Sequence, residues 1–377
     1  MKRPGRFLVV TWEGGGNVPP AIALARRLAD AGHEARLIGS ASIEPAATAA
    51  SVAFRPFRSV EPWPEGVVQD DDWDRLLELL QGRGMVRDLL AELDAGPADV
   101  LVVDCMMGGG FAVAEYLVLP TAMMVHILYQ PFAEDWGHQV LSTTEAKASL
   151  GLSPHDGDDF RTVLHRTSRV LALVPPEFDF PMEEIPPNTS YVGPILMPES
   201  DDLPWDLPWS PAEPTVLISL STTLQHQDEA LPMILEAFAG LDVHAVLTLG
   251  GVLPADEVDA PSNVTVLGYL PHASVLPHAS AIVCHGGLST VTSALAHGVP
   301  IVCIPQGRDQ PLNAARVGAC GAGLSLAADS PASTIADALR TVLEDPSYRV
   351  GAARMAERIA ELGAGAEATR LVEALLP

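Results

Sequence analysis

A chain of 377 residues with 48% hydrophobic and 19% charged residues is too apolar to be disordered, and its formal charge of −26 excludes nucleic acid and anionic membrane surfaces as partners. The length exceeds what one hydrophobic core usually serves, so two domains of ordinary size are expected. The only lysines are Lys2 and Lys147, which leaves nearly all cationic work to arginine.

The elements follow from the N-terminus. Phe7 to Thr11 is a short apolar strand, followed by the loop Trp12-Glu13-Gly14-Gly15-Gly16-Asn17. Pro19 and Pro20 suit a helix start, Ala21 to Ala31 has helical spacing, and Gly32 stops it before the strand Ala35 to Ile38. Such an opening begins a doubly wound parallel sheet. From Phe54 to about Gly84 the pattern loosens around Trp63, the acidic run Asp70 to Asp72 and Trp73; that run and Asp156 to Asp159 read as solvated loops. A helix precedes Pro97, and the strand Val100 to Asp104 leads through Met106, Met107 and three glycines into a helix ending near Leu117. Thr121 to Val125 is a further strand, and Arg169 to Val174 reads as the last strand of this half.

The proline-rich stretch after Pro194 reads as an interdomain linker, placed at residues 201–213. The pattern then restarts with strands Val216 to Ser219, His244 to Leu249, Val264 to Leu267, Ala281 to Cys284 and Ile301 to Ile304, and a helix near Leu231 to Ala239. Helical runs Ser333 to Leu343, Val350 to Leu362 and Ala366 to Leu376 close the chain. The expected fold class is α/β, with a Rossmann-like domain over 1–200, a second over 214–360, and a C-terminal helix over 361–377 packing on the first. The four cysteines, Cys105, Cys284, Cys303 and Cys320, form no C-x-x-C pair and read as buried thiols. No apolar run of membrane-spanning or signal-peptide length appears, so a cytoplasmic protein is expected.

Chemistry concentrates between Tyr269 and Asn313. A buried strand empties through His285-Gly286-Gly287 into a helix opening at Leu288 and Ser289. The first-turn N–H groups of a helix lack intrahelical partners, and its dipole adds positive potential there, which makes an anion site. Asp309-Gln310 follows the next strand at its carboxyl end, where open α/β sheets bind ligands. Dinucleotide binding is not supported: proline stands at position 19 where the third glycine of G-x-G-x-x-G belongs, and no acidic residue ends the second strand. No G-x-x-x-x-G-K-S/T occurs either.

The stretch Tyr269-Leu270-Pro271-His272, His285-Gly286-Gly287-Leu288-Ser289-Thr290, Gly298-Val299-Pro300, Pro305, Asp309-Gln310 and Asn313 resembles the nucleotide-sugar signature of family 1 glycosyltransferases with the GT-B fold. That group includes macrolide and other antibiotic glycosyltransferases. The resemblance implies two Rossmann-like domains facing a cleft, with the C-terminal helix crossing back to the first. It implies inverting transfer of a sugar from a nucleoside diphosphate to an apolar natural product, without metal or other cofactor. Tyr269 would stack on the nucleobase, with backbone contacts from Leu270. His285, Gly287, Ser289 and Thr290, with Ser221 and Thr222 of an earlier loop, would hold the pyrophosphate, and Asp309 and Gln310 the sugar hydroxyls. Ser293 stands where plant members carry a ribose-gripping glutamate, which favours a dTDP-deoxysugar over a UDP-sugar. Trp63, Trp73, Met106, Met107, Tyr129, Phe132 and Trp136 are expected to line the acceptor pocket. A homodimer stays open.

One departure concerns catalysis. Many members carry G-H-x-x-P or G-D-x-x-P after the first strand, the His or Asp being the base; aligning Pro19 puts Gly16 there. Glu13, Asp104 and His126, each at a strand's carboxyl end, are the candidate replacements. Two alternatives follow: a nucleotide-sugar-binding relative impaired in catalysis, and a GT-B-fold sugar-nucleotide epimerase.

Overall fold

The computed structural model describes residues 3–64, 72–155, 157, 159–197, 214–223, 225, 227–250, 254–268 and 270–377. The expected linker 201–213, Tyr269, and Asp70, Asp71, Asp156 and Asp158 of the acidic runs lie outside them. The chain divides into two units, Met1–Met197 with Leu362–Pro377, and Pro198–Glu361.

The first unit is built on seven strands: β1 (Arg6–Val10), β2 (Glu34–Gly39), β3 (Ala53–Pro56), β4 (Val100–Asp104), β5 (Thr121–Val125), β6 (Arg169–Ala172) and β7 (Thr189–Tyr191). They pair in parallel in the order β3-β2-β1-β4-β5-β6-β7. The central strands are near-continuous apolar runs because both faces are covered. Alternate residues feed separate cores: Leu8, Val10, Leu101, Val103, Met123 and Val125 on one side, Phe7, Val9, Val100, Val102, Ala122 and Met124 on the other. The second core also takes Ala368, Leu371 and Val372 from the last helix, Ala366–Glu373.

The sheet is longer than the sequence pattern indicates. Arg169–Ala172 is not its last strand, since β7 follows and pairs with it. The loosened segment contains β3 and the helix Trp73–Gln81, which Asp72 caps by accepting the Arg75 N–H at 3.1 Å. The three glycines open the helix Gly108–Leu117 for reasons of space: a Cβ on Gly108 would stand 1.8 Å from the Ser142 carbonyl oxygen, and one on Gly110 2.6 Å from the Val103 side chain.

The second unit holds six parallel strands: β8 (Thr215–Ser219), β9 (His244–Thr248), β10 (Val264–Leu267), β11 (Ala281–Cys284), β12 (Ile301–Cys303) and β13 (Gly323–Ser325). Their order is β10-β9-β8-β11-β12-β13. All four cysteines are buried and unbridged. Among the described residues no helix is long and apolar enough to cross a membrane.

In both sheets chain direction of travel reverses beside a central strand, between β1 and β4 and between β8 and β11. Ligands of open α/β sheets bind outside the carboxyl ends of strands at such points.

Candidate active site

Register decides which residues meet in the second unit. Ser219 pairs with Cys284 and Cys284 with Cys303, so the loops after β8, β11 and β12 leave the sheet side by side. The helix Leu288–Ala296 starts directly behind Gly287, and its first internal bond runs from Val291 N–H to the Gly287 carbonyl at 3.0 Å. The N–H groups of Leu288, Ser289 and Thr290 precede that bond and are the donors an anion meets. Ser289 and Thr290 are half-buried, so their hydroxyls remain reachable.

His285 lies against this turn. Its Nδ1 stands 3.4 Å from the Ser219 carbonyl, which makes Nδ1 the protonated nitrogen of the neutral ring. A Cβ on Gly287 would stand 2.4 Å from its Nε2, so the imidazole occupies the space a side chain would need. Burial pushes the His285 pKa down, against the Ser219 hydrogen bond and the Asp309 charge, with Arg308 adding to the depression. His272, bonded to Ser219 Oγ at 3.1 Å, is lowered to about 4 by burial and the neighbouring His285. His272 is therefore a neutral support for the strand end.

The polar pair after β12 divides its work. Asp309 stands at the N-cap of the helix Gln310–Ala319, and its Oδ2 takes the Asn313 amide at 2.9 Å. Its other oxygen has no hydrogen-bond partner among the described residues. Gln310 is buried and committed: its Oε1 accepts from the N–H groups of Gln306 at 2.7 Å and Gly307 at 3.3 Å, and its Nε2 donates to Gln225. Its side chain therefore shapes the 305–309 loop from within. Gln225 extends this network to Ser221 Oγ at 3.0 Å and Thr223 Oγ1 at 2.6 Å, so the Ser221 hydroxyl is engaged within its own loop. Thr222 is exposed. Gly250, at φ +64°, passes so close that a Cβ would stand 2.5 Å from the Ser221 carbonyl oxygen. Leu270 is buried.

The first unit assembles a second cluster. Val10 pairs with Val103 and Asp104 with Met124, so the loop after β1, Asp104 and His126 leave the sheet together. Asp104 is buried, and its Oδ2 accepts from Asn17 Nδ2 at 3.0 Å and faces His126 Nδ1 at 3.2 Å. Its Oδ1 takes the Met106 N–H at 3.0 Å. Asn17 also donates to Thr11 Oγ1 at 3.0 Å and the Trp12 carbonyl at 2.9 Å. Cys105 Sγ lies 3.7 Å from His126 Nδ1. Burial alone would lower the His126 pKa, but the Asp104 charge, Cys105 and hydrogen bonds to both hold it well above the histidine range. Burial pushes the Cys105 thiol up, with His126 opposing. One donor atom each from Asp104, Cys105 and His126 lies within 4.8 Å of the others, a set that could hold a metal ion.

Glu13 stands apart from this cluster. Its carboxylate accepts from Ser42 and from the Trp63 N–H at 3.3 Å, tying three loops together. Of the expected acceptor residues, Met107, Tyr129 and Phe132 are fully buried in the core. Tyr129 instead bonds Thr189 at 3.0 Å. Trp63, Met106 and Trp136 are half-buried over that core, and Trp73 is 43% exposed. Asn17 and Gln225 escaped the sequence reading, because each acts through partners far along the chain, 87 residues in the Asn17–Asp104 bond and 85 in the Gln225–Gln310 bond.

Residues 232–375 match the family described as Erythromycin biosynthesis protein CIII-like, C-terminal domain. The chain is 28% identical to 4'-demethylrebeccamycin synthase of Lentzea aerocolonigenes, over 98% of this chain and 99% of that protein. It is 25% identical to NDP-glycosyltransferase YjiC of Bacillus subtilis, over 96% and 95%. Among solved structures it resembles the kitacinnamycin glycotransferase at TM-score 0.82 and 25% identity, over the whole of both chains. It resembles the calicheamicin glycosyltransferase CalG4 at TM-score 0.80 and 26% identity, over 100% and 99%. With two parallel-sheet units and likeness to these proteins over nearly its whole length, the chain has the GT-B fold and is a glycosyltransferase, similar to those of antibiotic biosynthesis.

Proposed function

We propose that the protein transfers a hexosyl or deoxyhexosyl group from a nucleoside-diphosphate sugar to an apolar natural-product acceptor, with inversion and without a metal-dependent step. The observation that carries the donor half is the strand–Gly–Gly–helix turn at 284–290, where a helix's first-turn N–H groups, the half-buried Ser289 and Thr290 and an imidazole packed against Gly287 share one short turn. Negative charge grows on the diphosphate as the sugar leaves, and fixed donors at a helix N-terminus stabilise it without reorganising. In this reading His285 gains a proton, or turns Nε2–H outward, when the diphosphate arrives, since Nε2 is bare in the neutral ring. Asp309 takes a sugar hydroxyl on its unpartnered oxygen. Trp63, Met106 and Trp136 offer the acceptor apolar surface.

The nucleotide preference rests on Ser293, half-buried on the same helix, whose short hydroxyl cannot grip both ribose hydroxyls of a uridine nucleotide. Proteins of this fold have been crystallised with thymidine diphosphate, VinC and SpnG among them. Calorimetric titration is expected to find dTDP bound at least as tightly as UDP; clearly tighter UDP reverses the preference. Incubation with dTDP- and UDP-sugars and a panel of aromatic and polyketide-like acceptors, followed by mass spectrometry, is expected to show glycosylated acceptor. Binding of nucleotide without turnover across the panel would reject transfer.

A further inference from the structure

The transferase signature supplies what leaves, yet Gly16 supplies no base, and the structure contains another arrangement that can do that work. We infer that His126 is the general base that deprotonates the acceptor, with Asp104 and Asn17 as its positioning residues. The assignment rests on the transferase reading of the preceding section and deepens it.

His126 leaves the end of β5 with Nδ1 3.2 Å from Asp104 Oδ2, so Nδ1 carries the hydrogen and donates it. That fixes the tautomer and leaves Nε2 as the lone-pair nitrogen. Among the described residues Nε2 has no hydrogen-bond partner, and the imidazole is 12% exposed, which leaves that nitrogen for a substrate hydroxyl. The carboxylate is itself held from three sides, by His126, by Asn17 Nδ2 at 3.0 Å and by the Met106 N–H at 3.0 Å. An imidazole oriented by an immobile carboxylate is how a base is aimed and its protonated form stabilised. Of the other candidates, Glu13 is engaged with Ser42 and the Trp63 backbone, and Asp104 has its oxygens committed to His126, Asn17 and Met106.

In the step, the acceptor O–H bond breaks, its proton passes to Nε2, and the oxygen pair forms the bond to the anomeric carbon. The bond from that carbon to the diphosphate oxygen breaks, and its electrons leave with the nucleoside diphosphate. The proton returns to solvent from Nε2 after release.

The groups facing the ring are Asp104 and Cys105, both beside the end of β4. Burial alone would lower the imidazole's affinity for a proton, but the Asp104 charge, Cys105 and the hydrogen bonds to both together raise it, so the base is free only above the ordinary histidine range. Transfer should fall as pH drops through that raised value.

Two measurements on the full-length protein test this. The first needs no substrate: NMR titration of the His126 ring should give a pKa above the ordinary histidine value, and Asp104→Asn should bring it down. An ordinary His126 pKa, unmoved by Asp104→Asn, overturns the assignment. The second uses the acceptor that the wild type turns over. His126→Asn should lower kcat by roughly 10²–10⁴-fold, abolish the acid limb of the pH profile, and leave dTDP binding intact. His126→Gln stands in if the first variant unfolds, and adding Gly16→His to either should restore part of the rate. Retained kcat within a few-fold, or zinc found on Asp104, Cys105 and His126 with activity abolished by a chelator, overturns it as well. Absence of wild-type turnover rejects the transferase reading instead, and the NMR result still decides whether the dyad exists.

Discussion

A side chain's absence matters as much as its presence at the Gly286-Gly287 turn, the proposed diphosphate site. Gly287 has an ordinary φ of −60°, so its backbone does not require glycine; the neighbouring imidazole does. Gly287→Ala should force His285 aside and weaken dTDP binding about tenfold, roughly 1.4 kcal/mol, with thermal stability nearly unchanged. Calorimetric titration measures this, and an unchanged affinity would remove His285 from the diphosphate site. The second histidine acts on stability. His272 is held neutral, with a folded pKa of about 4 against roughly 6.5 for an unfolded chain. The unfolded chain binds its proton first as pH falls, so the stability contributed by neutral His272 is full above about pH 6.5 and drains away toward pH 4. Denaturant unfolding at pH 7 and pH 4.5 should show a smaller acid loss in His272→Gln than in wild type. An equal loss would mean that other groups govern acid sensitivity.

At the scale of elements, the last helix is a structural part of the first unit's core, with Leu371 7% and Val372 0% exposed. Leu371→Ala removes a buried side chain that the surrounding strands cannot fully replace, and should cost about 2–4 kcal/mol in denaturant unfolding. A cost below about 0.5 kcal/mol would mean that the helix only rests on the surface. This helix, like the central strands, was legible in the sequence because a buried face leaves a periodic apolar trace. What escaped lies mostly at sheet edges: β3 and β7 flank the first sheet and β13 ends the second. Their three or four residues, AFRP, TSY and GLS, bury only part of one face and leave no pattern to read. The strand–Gly–Gly–helix turn was legible because its parts are close in sequence and carry unusual residue types. The Asp104–His126 pairing was not, since only strand register reveals that β4 and β5 release their next residues side by side. The loop-holding bonds of Gln310 were equally hidden, since its partner Gln225 lies 85 residues away.

For the whole molecule, the division of labour has a thermodynamic consequence. Each unit has its own parallel sheet and its own buried core, and the proposed diphosphate contacts all lie in Pro198–Glu361. Two-state unfolding is not expected of a chain so built. A ligand that binds only the folded form stabilises whatever must be folded to bind it, by about 2.7 kcal/mol at a hundred times its Kd. Scanning calorimetry with saturating dTDP should therefore raise the transition of the second unit and leave that of the first nearly in place. Leu371→Ala lowers the transition of the first unit and so identifies it, which leaves the other transition to the second unit. If dTDP moves both transitions equally, the two units unfold as one and the diphosphate contacts cannot be assigned by stability. If dTDP moves the one that Leu371→Ala weakens, the donor loop has been placed in the wrong unit.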